Sequence, residues 1–422
     1  MDNKTISGSI KRVNTGEFSS IGFEKVEGNT LIDFDGNEYL DFSSGYGVTN
    51  AGWHRKKVIE SIKSQMDKLS YSTLAYPTLP ALQLSERLLK IMPEGFSKCA
   101  RAVGGADANE IILKASIAYN GKKKVLSLDR GYHGGTKSAV SISSEKFNLP
   151  RFPSLIDYVH APTPFCHRCP LGKKKESCNI DCALMIDDIL QEDKEIGLFI
   201  MEPVIGSGGA IAPPKKYYSI VQDICQRHNV TFAFDEVITG FGRIGSLTAM
   251  KKYGIVPDAV SFAKGLGGGI IPIAATLLNK NLAESIEKYQ DVTGTFAWTP
   301  LACAAAITNI EVIIEENLPG EANEKGKYLK SKLWDLCNEL IPDRIGDVRG
   351  DGLLIGVELK KPESDEIDFE LTENLYNKLI KNGLMVSASW LMDVIILMPP
   401  LNISDSELSK ALNIFADSLK EI

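Results

Sequence analysis

The sequence lacks the features that would point to a membrane or a nucleic acid. No hydrophobic run approaches the roughly 18 to 20 residues of a membrane span, and the first residues, MDNKTISGSIKRV, lack the apolar core of a signal peptide. Positive charge is not in excess, because 47 Lys and Arg residues face 54 Asp and Glu residues and the formal net charge is −7. We therefore expect a cytoplasmic protein with no membrane or nucleic-acid partner, in which the eight cysteines are mostly reduced.

The sequence does contain a long alternation of strand-like and helix-like stretches, in a chain of 422 residues that is long enough for two domains. Short apolar runs closed by polar or glycine residues resemble buried parallel strands with helices between them. These runs are KKVLSLDRG, EIGLFIMEPVI, NVTFAFDEVI, PDAVSFAKG and PIAATLLN. The order predicts an α/β fold whose large domain, residues 61–315, has a mostly parallel sheet. Residues 1–60 and 316–422 predict a smaller α+β domain.

Two local patterns make narrower predictions. In GNTLIDFDGNEYLDF the dipeptide DG separates two alternating runs, which predicts a β-hairpin. The stretch DANEIILKASIAYNGKKK is apolar at helical spacing, and it predicts a helix capped by Asp107 and ended by Gly121.

Lys264 has an unusual setting between the apolar run AVSFA and the glycines of GLGGG. A lysine that is partly desolvated at the end of a strand has a lowered pKa and becomes a usable nucleophile. The glycines allow a backbone or a ligand to approach closely. The alternative is a surface lysine in a flexible loop.

The segment FAFDEVITGFGR places Asp235 and Glu236 at the end of another apolar strand. A carboxylate there is costly to bury unless it has a cationic partner. The protonated pyridine nitrogen of a cofactor is such a partner. The alternative partner is Arg243, eight residues after Asp235.

Taken together, the two segments resemble the class III aminotransferases of pyridoxal phosphate (PLP) fold type I, in which a DEV-x-x-G-F-G-R block precedes a lysine followed by glycines. The resemblance extends in the same order over nearly the whole chain. It includes LIDFDGNEYLDFSSGYGVTNAGWH, GGADANE, GYHGG, MEPVIGSGG, DEVITGFGRIG, AKGLGGG, TGTFAWTPLACAAA, VRGDGLLIGVEL and ILMPPL. It implies PLP as the cofactor and an aspartate aminotransferase-like fold, with a mostly parallel seven-stranded sheet and a small α+β domain.

The resemblance assigns expected roles to the residues of these motifs. Lys264 matches the Schiff-base lysine, which also carries a proton, and Asp235 matches the partner of the pyridine nitrogen. Val237 and Tyr132 should pack on the two faces of the ring; a plain core position is the alternative for both.

Further motif positions match the phosphate and ring contacts of the family. Gly105 and Ala106 should offer backbone N–H groups to the phosphate at a helix N-terminus, although Gly105 is also a plausible turn glycine. Thr295 matches a threonine that reaches the phosphate from the neighbouring subunit, so a homodimer with shared active sites is expected. The alternative for Thr295 is a buried strand position. His133 and Glu202 are expected to contact the cofactor as well.

The sequence departs from the family pattern where many members bind a substrate α-carboxylate. Ile396 stands in place of an arginine, and Ser207 stands in place of the glutamate that pairs with it. No arginine follows Arg349. Ile238 matches the ω-transaminase branch of the family, so the resemblance implies a donor whose amine carbon bears no carboxylate.

The aromatic residues expected to line the substrate pocket come from segments that do so in relatives. They are Tyr46, Trp53 and Tyr76.

The stretch PFCHRCPLGKKKESCNIDCA holds four closely spaced cysteines, Cys166, Cys169, Cys178 and Cys182. This spacing is plausible for a zinc ion or an iron–sulfur cluster. Similar loops occur in class III relatives whose catalysis requires no metal. We expect free thiols, with a metal site as the alternative.

The reaction implied by these features is a ping-pong amino transfer from an ω-amino acid, a diamine or a primary amine to a keto acid such as pyruvate or 2-oxoglutarate. One alternative is an amino-acid racemase, epimerase or decarboxylase on the same fold, because GGADANEIILKASIAYNG also resembles the equivalent part of those enzymes. A second alternative is a non-enzymatic metal-binding protein that kept the fold.

Overall fold

The computed structural model describes residues 21–145, 154–174, 177–289 and 294–422, and in them fifteen strands form three sheets. The strands are β1 Phe23–Glu27, β2 Thr30–Asp33, β3 Glu38–Asp41, β4 Phe96–Ala102, β5 Lys124–Leu128, β6 Tyr158–Ala161, β7 Ile196–Met201, β8 Thr231–Asp235, β9 Ala259–Phe262, β10 Ala274–Asn279, β11 Ile345–Asp351, β12 Leu354–Leu359, β13 Leu384–Met385, β14 Ser387–Ala388 and β15 Ile395–Leu397.

The central sheet has seven strands in the order β4-β10-β9-β8-β7-β5-β6. The four pairs from β9 to β6 are parallel, while β10 runs antiparallel to both of its neighbours. Strands β7, β8 and β9 are buried at every residue, which is why each reads as a continuous apolar run. The predicted α/β fold with a mostly parallel seven-stranded sheet is confirmed.

Helices connect the strands of the three sheets and pack around them. They are Lys56–Met66, Leu79–Ile91, Gly105–Asn120, Lys137–Ser141, Asp181–Glu192, Lys215–His228, Ala249–Tyr253, Lys280–Ile286, Pro300–Glu315, Leu318–Leu340, Phe369–Lys381 and Asp405–Lys420, together with a short turn at Ser44–Gly47. In the four ranges that the structure describes, no helix is both long enough and apolar enough to cross a membrane.

The two smaller sheets have four strands each, in the orders β1-β2-β3-β13 and β11-β12-β15-β14. Strand β13 pairs in parallel with β3, so the beginning and the end of the chain share one sheet. This pairing supports the prediction that residues 1–60 and 316–422 form one small domain beside residues 61–315. We retain that division as a proposal.

The two local predictions had different outcomes. Strands β2 and β3 form the expected antiparallel hairpin around DG. The helix Gly105–Asn120 ends at Gly121, whose φ of 74° is left-handed, as predicted. The expected cap at Asp107 is wrong: the helix begins two residues earlier, after Gly104, and the Asp107 carboxylate accepts from the backbone N–H of Val103 at 2.9 Å.

Candidate active site

The carboxyl ends of four neighbouring strands build one cavity of about 550 Å³. Strands β5, β7, β8 and β9 run parallel, so the residues that follow them meet at the same edge of the sheet. Eight of the predicted site residues line the cavity: Gly105, Ala106, Tyr132, His133, Glu202, Asp235, Val237 and Lys264.

Lys264 follows β9 in a strained backbone conformation. Its φ of 36° lies in the left-handed region, which is costly for a residue with a side chain and is typical of functional sites. The side chain is partly buried and faces the cavity. Burial lowers the pKa of the Lys264 amine, while the charges of Glu202 and Asp235 act in the opposite direction. The prediction of a desolvated lysine at a strand end therefore agrees with the geometry.

Asp235 is buried and holds three hydrogen bonds. Its Oδ2 accepts from Asn109 Nδ2 at 2.7 Å and contacts His133 Nδ1 at 2.9 Å, while its Oδ1 accepts from the Val237 backbone N–H at 3.0 Å. An ionised carboxylate can only accept, so this contact is a hydrogen bond to such a carboxylate when Nδ1 of His133 carries the ring proton. Within the part of the chain that the structure describes, no Lys or Arg nitrogen lies within ion-pair distance of Asp235. The acid is thus placed to receive a cation from a ligand.

Arg243, the alternative partner for the acids at the end of β8, binds elsewhere. Its guanidinium donates to the carbonyls of Leu353 and Pro399 and to Asn50 Oδ1, at 2.6 to 2.9 Å. Glu236 instead accepts from the backbone N–H groups that start the helix Ala249–Tyr253 and from a threonine hydroxyl. The idea that Arg243 neutralises Asp235 is therefore wrong.

Glu202 is a second buried carboxyl of the cavity. It accepts from the backbone N–H groups of Tyr132 and Gly206, both at 3.0 Å, and so ties the loop after β5 to the loop after β7. Burial, and next the charge of Asp235, raise the pKa of Glu202 to about 7.

We expect Glu202 to make the stability of the cofactor-free protein depend on pH. Between the ordinary pKa of 4.5 and the raised value of about 7 the folded state binds more protons at this group than the unfolded state. The free energy of unfolding should therefore fall through this group as the pH rises over that range, and Glu202→Gln should flatten the profile between about pH 5 and 8. Denaturant unfolding at a series of pH values measures the slope.

The control for this experiment is Glu324→Gln. Glu324 is exposed, and its hydrogen bond with Lys327 holds the pKa of the carboxyl below its ordinary value. The control should leave the slope above about pH 5 unchanged. An E202Q slope equal to that of the wild type would show that Glu202 does not titrate in this range.

The N-terminus of the helix Gly105–Asn120 lines the cavity with small residues and exposes its backbone there. Its N-cap, Gly104, offers no capping side chain, and Gly104, Gly105 and Ala106 all line the cavity, so the first N–H groups of the helix are available to a ligand there. A Cβ on Gly105 would lie 2.9 Å from Val237 Cγ2, and a Cβ on Gly134 would lie 2.4 Å from Ala106 Cβ. Glycine is therefore required at both positions. A helix N-terminus of this kind suits a phosphate.

These observations fit PLP, the cofactor that the resemblance implies. A partly buried lysine with a lowered pKa, a buried acid without a cationic partner and an uncapped helix N-terminus line one cavity of suitable size. Their chemistry matches an aldehyde, a protonated ring nitrogen and a phosphate, respectively.

Four other predicted residues lie outside the wall of this cavity. Thr295 is exposed in a turn, which also excludes the alternative of a buried strand position. Tyr46 and Trp53 line a separate cavity of about 1130 Å³, and Trp53 Nε1 donates to Asp41 at 2.8 Å. Tyr76 is 71% exposed. Within one chain, the structure therefore does not bring the three aromatic residues to Lys264.

Asn109 is a site residue that sequence reasoning missed. It is fully buried; its amide donates to Asp235 and to the His133 carbonyl, and its Oδ1 accepts from Ser261. The available signal was an asparagine on the apolar face of the GGADANE helix, because a buried amide needs partners.

The four-cysteine loop is held by protein contacts. Arg168 Nε lies 2.7 Å from Glu358 Oε1 and so anchors the loop to β12. All eight cysteines are free thiols, and burial raises the pKa of Cys182 to about 12. In the described ranges no three His, Cys, Asp or Glu side chains are placed to hold a metal ion. The metal alternative therefore gains no support.

Comparison with known proteins gives a match over almost the full chain. A family model described as aminotransferase class III matches residues 12–419. A leucine/methionine racemase of Thermococcus litoralis is 34% identical over 396 residues, which cover 92% of this chain and 88% of that protein. An adenosylmethionine-8-amino-7-oxononanoate aminotransferase of Methanocaldococcus jannaschii is also 34% identical, with coverage of 96% and 94%.

A solved structure shows the same architecture. An amine transaminase from an uncultivated Pseudomonas species, in its PLP-bound form, superposes with a TM-score of 0.89 at 28% identity. The match covers 96% of this chain and 95% of that one.

Proposed function

Since the chain belongs to the class III aminotransferases, we propose that it transfers an amino group from an ω-amino acid, a diamine or a primary amine to a keto acid such as pyruvate or 2-oxoglutarate. Enzymes of this family depend on PLP and act on small-molecule amines and keto acids. The identity of the donor rests on the residues of this chain.

The proposed cofactor contacts follow the fit described above. Asp235 would pair with the ring nitrogen, Tyr132 and Val237 would contact the ring, and the N–H groups of Gly105 and Ala106 would bind the phosphate. When bound, PLP supplies an electron sink for the carbon that bears the amine.

Lys264 supplies the reactive amine of the site. Its lowered pKa raises the neutral fraction near pH 7, so the amine can act as a nucleophile and can accept a proton from a substrate carbon. Glu202 and Asp235 are the carboxyls whose charges favour the protonated form, which lets the same nitrogen return the proton.

His133 and Asn109 act as positioning residues for Asp235. Both hydrogen-bond to Oδ2 of this acid and are themselves buried. Nε2 of His133 has no hydrogen-bond partner among the described residues, so the contact of Nδ1 with Asp235 is the hydrogen bond that orients the ring.

The observation that carries the choice of donor is the apolar environment of Ile396. Its side chain is 1% exposed on β15 and packs in a hydrophobic cluster with Ile238, Val394 and Met398. Ile238 also lines the Lys264 cavity, whose described wall contains no arginine and no lysine except Lys264. A carboxylate on the amine carbon would therefore meet apolar side chains instead of a cation.

A matched pair of donors tests this proposal. Propylamine and 2-aminobutyrate differ only by a carboxylate on the amine carbon. With pyruvate or 2-oxoglutarate as acceptor, kcat/KM should be at least about tenfold higher for propylamine, because the carboxylate finds no cationic group to pair with. A preference for 2-aminobutyrate in the coupled assay would contradict the assignment of the donor.

A racemase is the second candidate, because the Thermococcus litoralis relative carries that name. A single incubation separates the two reactions. With an enantiopure α-amino acid and no keto acid, a racemase inverts the substrate over many turnovers. An aminotransferase forms at most one equivalent of carbonyl product per site and then stops until an acceptor is added.

We also propose a homodimer, since an exposed apolar surface lies next to Thr295. Phe296 is 68% exposed, and its ring centroid lies 6.0 Å from that of Tyr71. Tyr76, Leu79 and Leu82 are exposed close by in sequence. Large exposed apolar surfaces are typical of interfaces. The cytoplasmic location stays a prediction from composition.

The dimer can be tested by light scattering. The wild type should have the mass of two chains, and the double variant Leu79→Glu/Leu82→Glu should shift it toward one chain, because each change buries a charge at the interface. Glu60→Gln, which alters an exposed residue on the neighbouring helix, is the control. A monomeric wild type would contradict the proposal.

A further inference from the structure

The turn that carries Lys264 is held by a side chain from a distant helix. Residues Lys264–Leu266 form a single 3₁₀ turn, with Leu266 N–H bonded to the Ala263 carbonyl and Gly267 N–H bonded to the Lys264 carbonyl. The carbonyls of Gly265 and Leu266 lie at the end of the turn, where helical partners run out. Asn309 Nδ2 donates to both, at 2.7 and 3.3 Å.

Asn309 is an unusual residue for its position. It is 1% exposed in the middle of the helix Pro300–Glu315, whose buried positions are otherwise mostly alanine and isoleucine. Asparagine is a weak helix former, and a buried amide is costly unless it is hydrogen-bonded. Its Oδ1 has no partner among the described residues, so its two bonds to the lysine turn are the interactions that offset its burial.

Two of the four glycines of GLGGG lie against buried asparagines. A Cβ on Gly268 would lie 2.6 Å from Asn309 Oδ1. A Cβ on Gly265 would lie 2.4 Å from Nδ2 of Asn50. The Oδ1 of the same asparagine accepts a hydrogen bond from Arg243. The turn is thus packed between two buried asparagines. A side chain at either glycine would displace one of them.

The left-handed φ of Lys264 makes this support necessary. Such a conformation persists only when surrounding contacts over-determine it. The direction of the Lys264 side chain follows from its backbone, so a shift of the turn moves the amine relative to Asp235 and Glu202. Misplacement by about 1 Å at a reactive group costs on the order of 10²-fold in rate.

We propose that Asn309 is a positioning residue for Lys264: it caps the lysine turn and so fixes the amine in the cavity. This inference rests on the proposed role of Lys264 in amino transfer. It assigns to the helix Pro300–Glu315 a part in the site, although no residue of that helix lines the cavity.

The test compares Asn309→Leu with Cys303→Ala. Leucine keeps the branched shape of asparagine but cannot donate a hydrogen bond. Cys303 is fully buried in the same helix, six residues before Asn309 and therefore on a different face, so C303A controls for a general weakening of the helix. We expect N309L to lower kcat by about 10- to 100-fold with KM within about threefold of the wild type, and C303A to leave both nearly unchanged.

A second readout does not depend on turnover. In protein stripped of cofactor, the rate at which an amine-reactive reagent labels position 264, followed by mass spectrometry across pH, reports the pKa of the Lys264 amine. N309L should shift the midpoint of this profile relative to the wild type, and C303A should not. If N309L does not fold, Asn309→Asp serves instead. Its activity relative to the wild type should rise as the pH falls, because a protonated carboxyl can again donate to the Gly265 carbonyl.

The outcomes separate this inference from the proposed function. If N309L matches C303A in kcat, KM and labelling midpoint, Asn309 does not position the lysine and the inference is overturned. If Lys264→Ala retains amino transfer, the role of Lys264 itself is wrong, whatever the Asn309 variants do. A loss in N309L that appears only as a lower melting temperature, with kcat and the midpoint unchanged, also overturns the inference.

Discussion

Replacing Lys264 with alanine should lower kcat for amino transfer by at least about 10⁴-fold. Two functions are lost together, the nucleophilic amine and the group that moves a proton at the substrate carbon. The fold should survive, because the side chain is only partly buried and faces a cavity. Burial lowers the pKa of the Lys264 amine, which means that the charged form is costly in the folded state. The replacement removes this cost, which also favours folding of the variant. Steady-state kinetics with a primary amine and pyruvate measure the effect.

Two control variants accompany this experiment. Lys280→Ala removes an exposed lysine that begins the helix after β10, and it should leave kcat unchanged. Lys264→Arg keeps the positive charge but supplies no free amine near neutral pH, so it should be nearly as impaired as K264A. If K264A kept more than about one tenth of the wild-type kcat, neither nucleophilic nor acid–base chemistry could reside on this side chain.

The main features of the fold and the centre of the site could be predicted because they follow from local patterns. Fully buried parallel strands read as apolar runs, and residues at their carboxyl ends converge at one edge of the sheet. Asp235 and Lys264 each follow such a run, and the structure places both in one cavity. The glycines near Lys264 indicated a close approach, which proved to involve Asn50 and Asn309 as well as a ligand cavity.

The partners of these residues could not be predicted, since they come from distant parts of the chain. Asn309 lies 45 residues after Lys264, and Arg243 binds carbonyls contributed by Leu353 and Pro399. Sequence proximity left an ion pair between Arg243 and Asp235 open as the alternative, and the tertiary structure forms none. Asp107 was misread for a related reason, because a glycine N-cap leaves no side-chain signal in the sequence.

The substrate aromatics illustrate a different limit. Tyr46 follows two residues with left-handed φ, which form a turn. After this turn Val48 lines the Lys264 cavity, whereas Tyr46 lines the second cavity. A motif gives the order of residues but not the direction of a side chain after such a turn. Thr295 and Tyr76 are exposed in the single chain, so their proposed roles depend on a second copy.

Changing Asp235 to asparagine should lower kcat by about 10²- to 10³-fold, the scale of losing one preorganised electrostatic contact in a site that excludes water. The change removes the carboxylate proposed to meet a cationic ring nitrogen, while it keeps the shape of the side chain. Folding should tolerate it, because the amide oxygen of the new asparagine can still accept from Asn109 Nδ2 and His133 Nδ1, and the bond that is lost is the one from the Val237 backbone N–H. Cofactor affinity should fall together with kcat, and both can be followed by titrating stripped protein with PLP.

Asp258→Asn is the matched control for this prediction. Asp258 is a partly buried acid with a pKa raised by desolvation, but it lies just before β9, at the opposite edge of the sheet from Asp235. It accepts from the Phe232 backbone N–H and from Asn279, so D258N should lower stability and leave kcat and PLP affinity nearly unchanged. Equal losses of kcat in D235N and D258N would mean that the sheet needs both acids for structure and that Asp235 has no special electrostatic role. A D235N variant within about threefold of wild-type kcat would lead to the same conclusion, because a charge that faces the reacting ring cannot be removed at so little cost.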